Sequence, residues 1–93
     1  MIEFDWDKKK AAENLRKHKI RFEDAQSVFN DPLEETKPNS IVNGEERWQI
    51  IGTSNKTNAL LKVIYTVREN GKIIRIISAR LVTNEERRDY EHR

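Results

Sequence analysis

The segment Gly71 to Arg80 reads GKIIRIISAR and constrains the chain more than any other stretch. Isoleucine at four of its positions, with Ser78 and Ala79, suits a central strand and little else. In regular alternation Ile73, Arg75, Ile77 and Ala79 face one side, and Ile74, Ile76, Ser78 and Arg80 face the other. Each side then carries one fixed positive charge. An arginine in so apolar a run must reach a sheet edge, pair with a carboxylate, or point into a pocket that takes an anion.

At 93 residues the chain is expected to form a single domain spanning residues 1–93. Such a chain buries only roughly 60–65% of its unfolded surface, so its core is small and a partner would add stability. The absence of cysteine excludes disulfides and thiolate metal sites and suits a reducing, cytoplasmic home. No apolar run has the length of a membrane span, and the N-terminal MIEFDWDKKK lacks the apolar core of a secretory signal. Eighteen Lys and Arg against 16 Asp and Glu leave a formal charge of +2, so affinity for nucleic acid must come from local clusters. Clusters exist at Lys8–Lys10, at Arg16–Lys19 with Arg21, and at Arg87, Arg88, His92 and Arg93. Each taken alone is also explained as a solvated helix face.

In order, Ile2, Phe4 and Trp6 alternate with acids, as in a short strand or an arm that inserts aromatics into the core. Asp5 or Asp7 can cap a helix over Lys8–His18 with Ala11, Ala12 and Leu15 as a thin apolar stripe. A second helix is expected over Phe22–Phe29, burying Phe22, Ala25, Val28 and Phe29, and Asn30-Asp31-Pro32 ends it. A short edge strand near Thr36 and Lys37 precedes the Asn43-Gly44 turn. Strands near 47–52, 60–68 and 72–80 follow, the last two joined through Asn70-Gly71. Thr83-Asn84-Glu85-Glu86 is a capping box opening a helix to about His92. The fold class is therefore α+β: two N-terminal helices, an antiparallel β-meander and a C-terminal helix.

The runs FDWDKKKAAENLRKHKIRFEDAQSVFNDP, EERWQIIG, VIYTVREN and RIISARLVTNEERRDYE together resemble the BrnT toxin family, the toxin half of bacterial type II toxin–antitoxin pairs. The resemblance covers nearly the whole chain. It implies a fold like that of the RelE and ParE toxins and ribonuclease activity that stalls translation. It also implies neutralisation by a BrnA-like antitoxin, in a complex with two copies of each partner, that carries the contact with operator DNA. Family members often carry Gly after the RKH string and Ser before FED; here those positions hold Lys19 and Arg21, which weakens both helix caps and leaves two extra charges available to RNA.

Metal-free RNA cleavage needs a base for the ribose 2′-proton, cations around the phosphate, and an acid or cation for the leaving oxygen. His18 and His92 lie far apart with no cysteine or acidic triad at ligand spacing, so neither metal nor other cofactor is expected. Arg75 and Arg80 are the first candidates for phosphate, because a strand holds their planar forks rigidly. Regular alternation separates them unless a bulge intervenes or Arg80 has already left the sheet, so one belongs in the site and the other is structural; the alternative for Arg75 is a cross-strand salt bridge to Glu69 or to an acid of the strand that holds Arg47. His18 is the natural acid–base group, with Lys17 as a catalytic cation. Tyr65, Arg47 and Lys19 are candidate substrate contacts; Tyr65 reads more readily as a core aromatic with a polar tip, and Trp6 and Trp48 as core. A different class remains open: a non-catalytic RNA- or protein-binding domain acting as a co-repressor with its antitoxin.

Overall fold

The computed structural model describes residues 2–93. In chain order the elements are β1 (Glu3–Asp5), α1 (Lys8–His18), α2 (Phe22–Gln26), a 3₁₀ turn (Ser27–Asn30), β2 (Glu35–Val42), β3 (Glu45–Thr53), β4 (Leu60–Arg68), β5 (Ile73–Leu81) and α3 (Asn84–Glu91). Local chemistry explains most of the boundaries. Asp7 caps α1 by accepting from the Lys10 amide at 3.0 Å. Thr83 and Glu86 complete a reciprocal capping box at α3. Asn43 and Gly44 both take positive φ, 52° and 79°, which bends β2 tightly into β3. The second helix is shorter than its apolar spacing suggests. Ser27 Oγ donates to the Asp24 carbonyl at 2.7 Å and bonds Ser54 Oγ at 2.8 Å, and the backbone tightens to 3₁₀ there.

The sheet order is β1-β5-β4-β3-β2. β3 to β5 form the expected antiparallel meander and β2 adds to it antiparallel to β3, but β1 joins β5 in parallel, Phe4 opposite Ile74, so the sheet is mixed and not purely antiparallel. Aromatic packing seats that arm: Phe4 meets Phe29 edge-on at 5.1 Å between centroids, and Trp6 meets Phe22 at 5.9 Å. β2 is also longer than expected. It runs straight through Pro38, tolerated because β2 is an edge strand whose bulge between Pro38 and Ser40 absorbs the irregularity. Phe22, Ala25 and Val28 pack on one face of the sheet against Ile50, Leu61, Val63, Ile76 and Ala79. Among the described residues no helix is long and apolar enough to cross a membrane.

The apolar stripe anchors α1 only in part, through Ala11 on the core and a half-buried Leu15. Ala12 is exposed, and the buried residue of this helix is Asn14. Beyond the three residues paired with β1, the outer edge of β5 would be bare. Asn14 fills that gap: its side-chain amide accepts from Ala79 N–H at 3.1 Å and donates to Ala79 C=O at 2.9 Å, as a neighbouring strand would. The same amide donates to the Ile20 carbonyl at 3.1 Å, tying down the inter-helix turn. That turn contains Lys19 at φ 63°, ψ 25°, a left-handed residue with a side chain where glycine is free of strain. Arg21, next to it, makes no side-chain cap for α2.

Asn14→Ala leaves two buried backbone groups of Ala79 without partners and should cost about 2–4 kcal/mol in chemical denaturation. A cost below about 1 kcal/mol would mean that water replaces the amide and that α1 is held by packing alone. Lys19→Gly should raise stability by about 0.5–1 kcal/mol, read as a few degrees in Tm, because it relieves the left-handed backbone and gives up only an exposed hydrogen bond from Nζ to the Arg16 carbonyl.

Candidate active site

Regular alternation fails on β5 at one residue. Tyr65 pairs with Ile76 and Ile64 with Ser78, which leaves Ile77 as an extra, bulged residue. The strand is re-phased: Ile74, Ile76 and Ala79 all turn to the core, while Arg75 and Arg80 both turn to the opposite face. Their partners on β4 confirm the phase, for Arg75 lies opposite Thr66 and Arg80 opposite Lys62, four residues apart along one strand. The separation expected of regular alternation does not hold, because the bulge that was its exception puts both arginines on one face.

Three adjoining shallow depressions run along this side of β5. One, of about 210 Å³, lies under α1 and is lined by Lys10, Lys17, His18, Ile77 and Ser78 among others. The second, about 330 Å³, shares His18 and Ser78 and continues to Lys62 and Arg80. The third, about 200 Å³, shares Lys10 and Ile77 and holds Arg47, Arg68 and Arg75. Together they make a trough whose carboxylates are Asp7, Glu13 and Glu45 and whose other ionisable side chains are Lys, Arg and His18. Such a lining concentrates positive potential that the near-neutral composition hides.

His18, the last residue of α1, stands at the centre of the trough beside Ser78, and Lys17 is exposed next to it. Asn14, one turn earlier, holds this helix end against β5. The two arginines are engaged unequally. Arg80 is gripped by Glu86 through two bonds, Nη1 to Oε1 at 2.8 Å and Nη2 to Oε2 at 3.0 Å, and it also donates to the Leu81 carbonyl. Glu86 meanwhile takes Lys62 at 3.3 Å and the Thr83 amide at 2.8 Å, so one carboxylate ties α3 to β4 and β5. Arg75 makes a single ion contact, 3.2 Å from Asp5 Oδ1, and that carboxylate is 48% exposed. Its partner is on β1, not Glu69 or the β3 strand end. Arg47 lines the third depression and has no salt-bridge partner among the described residues.

Two candidates lie elsewhere. Tyr65 sits in the core on the far face, edge-on to Phe29 at 5.0 Å, where burial pushes its hydroxyl pKa up. Lys19 turns its ammonium back onto the Arg16 carbonyl at 3.0 Å, outside the depressions. Lys10, Lys62 and Ser78 join the site without having been singled out, since only the fold brings α1, β4 and the bulge together. Ser78 had a visible signal as a polar residue inside an apolar strand, and Lys10 as part of the Lys8–Lys10 cluster; Lys62 had none.

Hydrogen bonds from Arg80 hold the Glu86 carboxyl at a pKa of about 2, below its ordinary value of 4.5. A depressed carboxylate contributes stability above the unfolded value that disappears as pH falls from about 4.5 towards 2. Allowing for solvent screening, that contribution is about 1–2 kcal/mol. Glu86→Gln should therefore lose about 1–2 kcal/mol at pH 7 and flatten the acid limb of a stability–pH curve. An acid limb identical to that of the unaltered chain would place the controlling carboxylate elsewhere.

No curated protein matches the chain significantly. The family model for BrnT, described as the ribonuclease toxin of a type II toxin–antitoxin system, matches residues 6–86. That span runs from Trp6 through α1, the whole meander and the trough to Glu86. The chain belongs to the BrnT family of ribonuclease toxins.

Proposed function

We propose that this chain is a metal-independent endoribonuclease that arrests translation in the cytoplasm and is neutralised by a BrnA-like antitoxin, two copies of each partner forming the inactive complex. A type II system implies an antitoxin partner; operator DNA is then reached through the antitoxin. The observation that carries the catalytic part is the bulge at Ile77, which puts Ser78 and Arg80 on the same face as Arg75, so that one trough bordered by His18 takes in both arginines. A trough whose cations outnumber its three carboxylates attracts the phosphates of RNA and disfavours a divalent ion, which supports chemistry without metal.

In this mechanism the ribose 2′-hydroxyl attacks its own 3′-phosphate. The 2′-O–P bond forms as the P–O5′ bond breaks, giving a 2′,3′-cyclic phosphate and a free 5′-hydroxyl. One proton leaves the 2′-oxygen and one reaches the 5′-oxygen, so no water is consumed. His18 exchanges one of these protons and Lys17 offsets charge on the phosphoryl oxygens, with the second proton passing to or from solvent. Arg75 grips the RNA backbone, since displacing one half-exposed Asp5 contact costs little, whereas Arg80 is committed to Glu86 and serves as a strut.

The Arg80–Glu86 pairing also favours a second reading, a chain that binds RNA or its antitoxin without cutting. Incubation of the purified protein with RNA in EDTA separates the two: cleavage is expected, and intact RNA would leave only binding. His18→Ala should slow cleavage by roughly 10²–10⁴-fold with little change in Tm. Arg75→Ala should weaken cleavage at unchanged stability, and Arg80→Ala should lower Tm first. If Arg80→Ala abolishes cutting while its Tm holds, the roles of the two arginines are reversed.

A further inference from the structure

The third depression carries unsatisfied chemistry of its own. Continuing the β3–β4 register by one residue beyond Trp48↔Tyr65 sets Arg47 opposite Thr66, and Thr66 lies opposite Arg75. Two residues further out in the same register, and so on the same face, Glu45 and Arg68 are ion-paired at 3.2 Å. Arg47, Thr66 and Arg75 therefore form one row across three strands on the open face. Neighbouring strands are about 4.8 Å apart, so the two arginine backbones are separated by about 10 Å, within which two guanidinium forks can close on one phosphate.

Two atoms in this row lack partners. Among the described residues, Arg47 Nε is buried without an acceptor, and Thr66, 0% exposed, has a buried Oγ1 without any hydrogen bond. Buried polar atoms in folded proteins are nearly always paired, and two adjacent exceptions beside a cationic depression call for a shared cause. An entering oxyanion supplies it: Arg47 and Arg75 line the depression and offer it their forks, while Thr66, fully buried in the same row beneath them, meets an acceptor only as the two side chains part to admit the anion. Arg68, already held by Glu45, closes the rim.

We infer that Arg47, Thr66 and Arg75 form a phosphate clamp for the linkage of a single-stranded RNA next to the one that is cut. His18 borders the adjoining depressions and not this one, so a strand lying in the trough puts successive phosphates at the clamp and at the histidine. The assignment of a neighbouring linkage rests on the ribonuclease reading; the clamp itself does not.

The test uses the full chain and a fluorescent 2′-O-methyl oligouridylate of about six nucleotides, which cannot be cut, with affinity measured across a salt series. Arg47→Ala should weaken binding roughly tenfold and lower the slope of log affinity against log salt by about 0.7, the value for one lost phosphate contact on a single strand. Arg47→Lys, which keeps the charge and loses the fork, should keep the slope and recover only part of the affinity. Thr66→Val, nearly isosteric, should weaken binding roughly threefold with the slope unchanged. An unaltered slope in a folded Arg47→Ala protein overturns the clamp; should that variant not fold, Arg47→Lys binding as tightly as the unaltered chain does so. Loss of slope together with no cutting of ordinary RNA would reject the nuclease and keep the clamp, whereas cutting with an unaltered slope would do the reverse.

Discussion

The side-chain amide of Asn14 on the backbone of Ala79 is the contact on which the rest of this structure depends. β5 is covered by β1 over three residues only, and a strand edge left bare inside a protein would hold unpaired donors and acceptors. A primary amide has the donor and acceptor needed to imitate one residue of a neighbouring strand. By placing that imitation on α1, the chain seals its sheet and sets the helix end in a fixed relation to β5. Lys17 and His18 are carried along at the same stroke.

Charge on the open face is organised by the strength of each pairing. The cations at the α3 end, Arg80 and Lys62, converge on one capped carboxylate and form a joint between helix and sheet. Those at the β1 end are paired through exposed carboxylates or not at all. Exposed ion pairs contribute little and exchange easily with solvent or a ligand, while a bidentate pair within a larger network resists exchange. Two arginines five residues apart on one strand thus acquire different work from their partners alone.

Much of the scaffold was legible. Asn43-Gly44, the Thr83 capping box, the Asp7 cap and the alternation of Trp48–Gly52 and Leu61–Val67 each express a preference that neighbouring residues satisfy among themselves. The left-handed turn at Lys19 and the uncapped start at Arg21 were legible only by comparison with the family pattern, because both go against local preference. The parallel pairing of β1 was not, because a three-residue strand has no period to read and its place is decided by where Phe4 and Trp6 find aromatic partners. Nor was the length of β2, since Pro38 forbids a central strand but permits an edge, and edge status belongs to the sheet as a whole. Tyr65 could be read as core or as substrate contact until the face of its strand was known.

Sequence alone determined the inventory of this protein: helices with their caps, strands with their turns, an arginine-bearing ribbon, and membership of a family of ribonuclease toxins. Only the tertiary structure decided which of those charges meet. An extra residue at Ile77 costs the chain little locally, yet it reverses the face of everything beyond it, and nothing in a run of isoleucines marks which one will bulge. Whether Arg75 or Arg80 keeps a hand free depends on Asp5 and Glu86, and it is the folded sheet and the docked α3 that bring those carboxylates within reach. Propensities act between neighbours along the chain, whereas a binding site is a competition among groups that only packing brings within range.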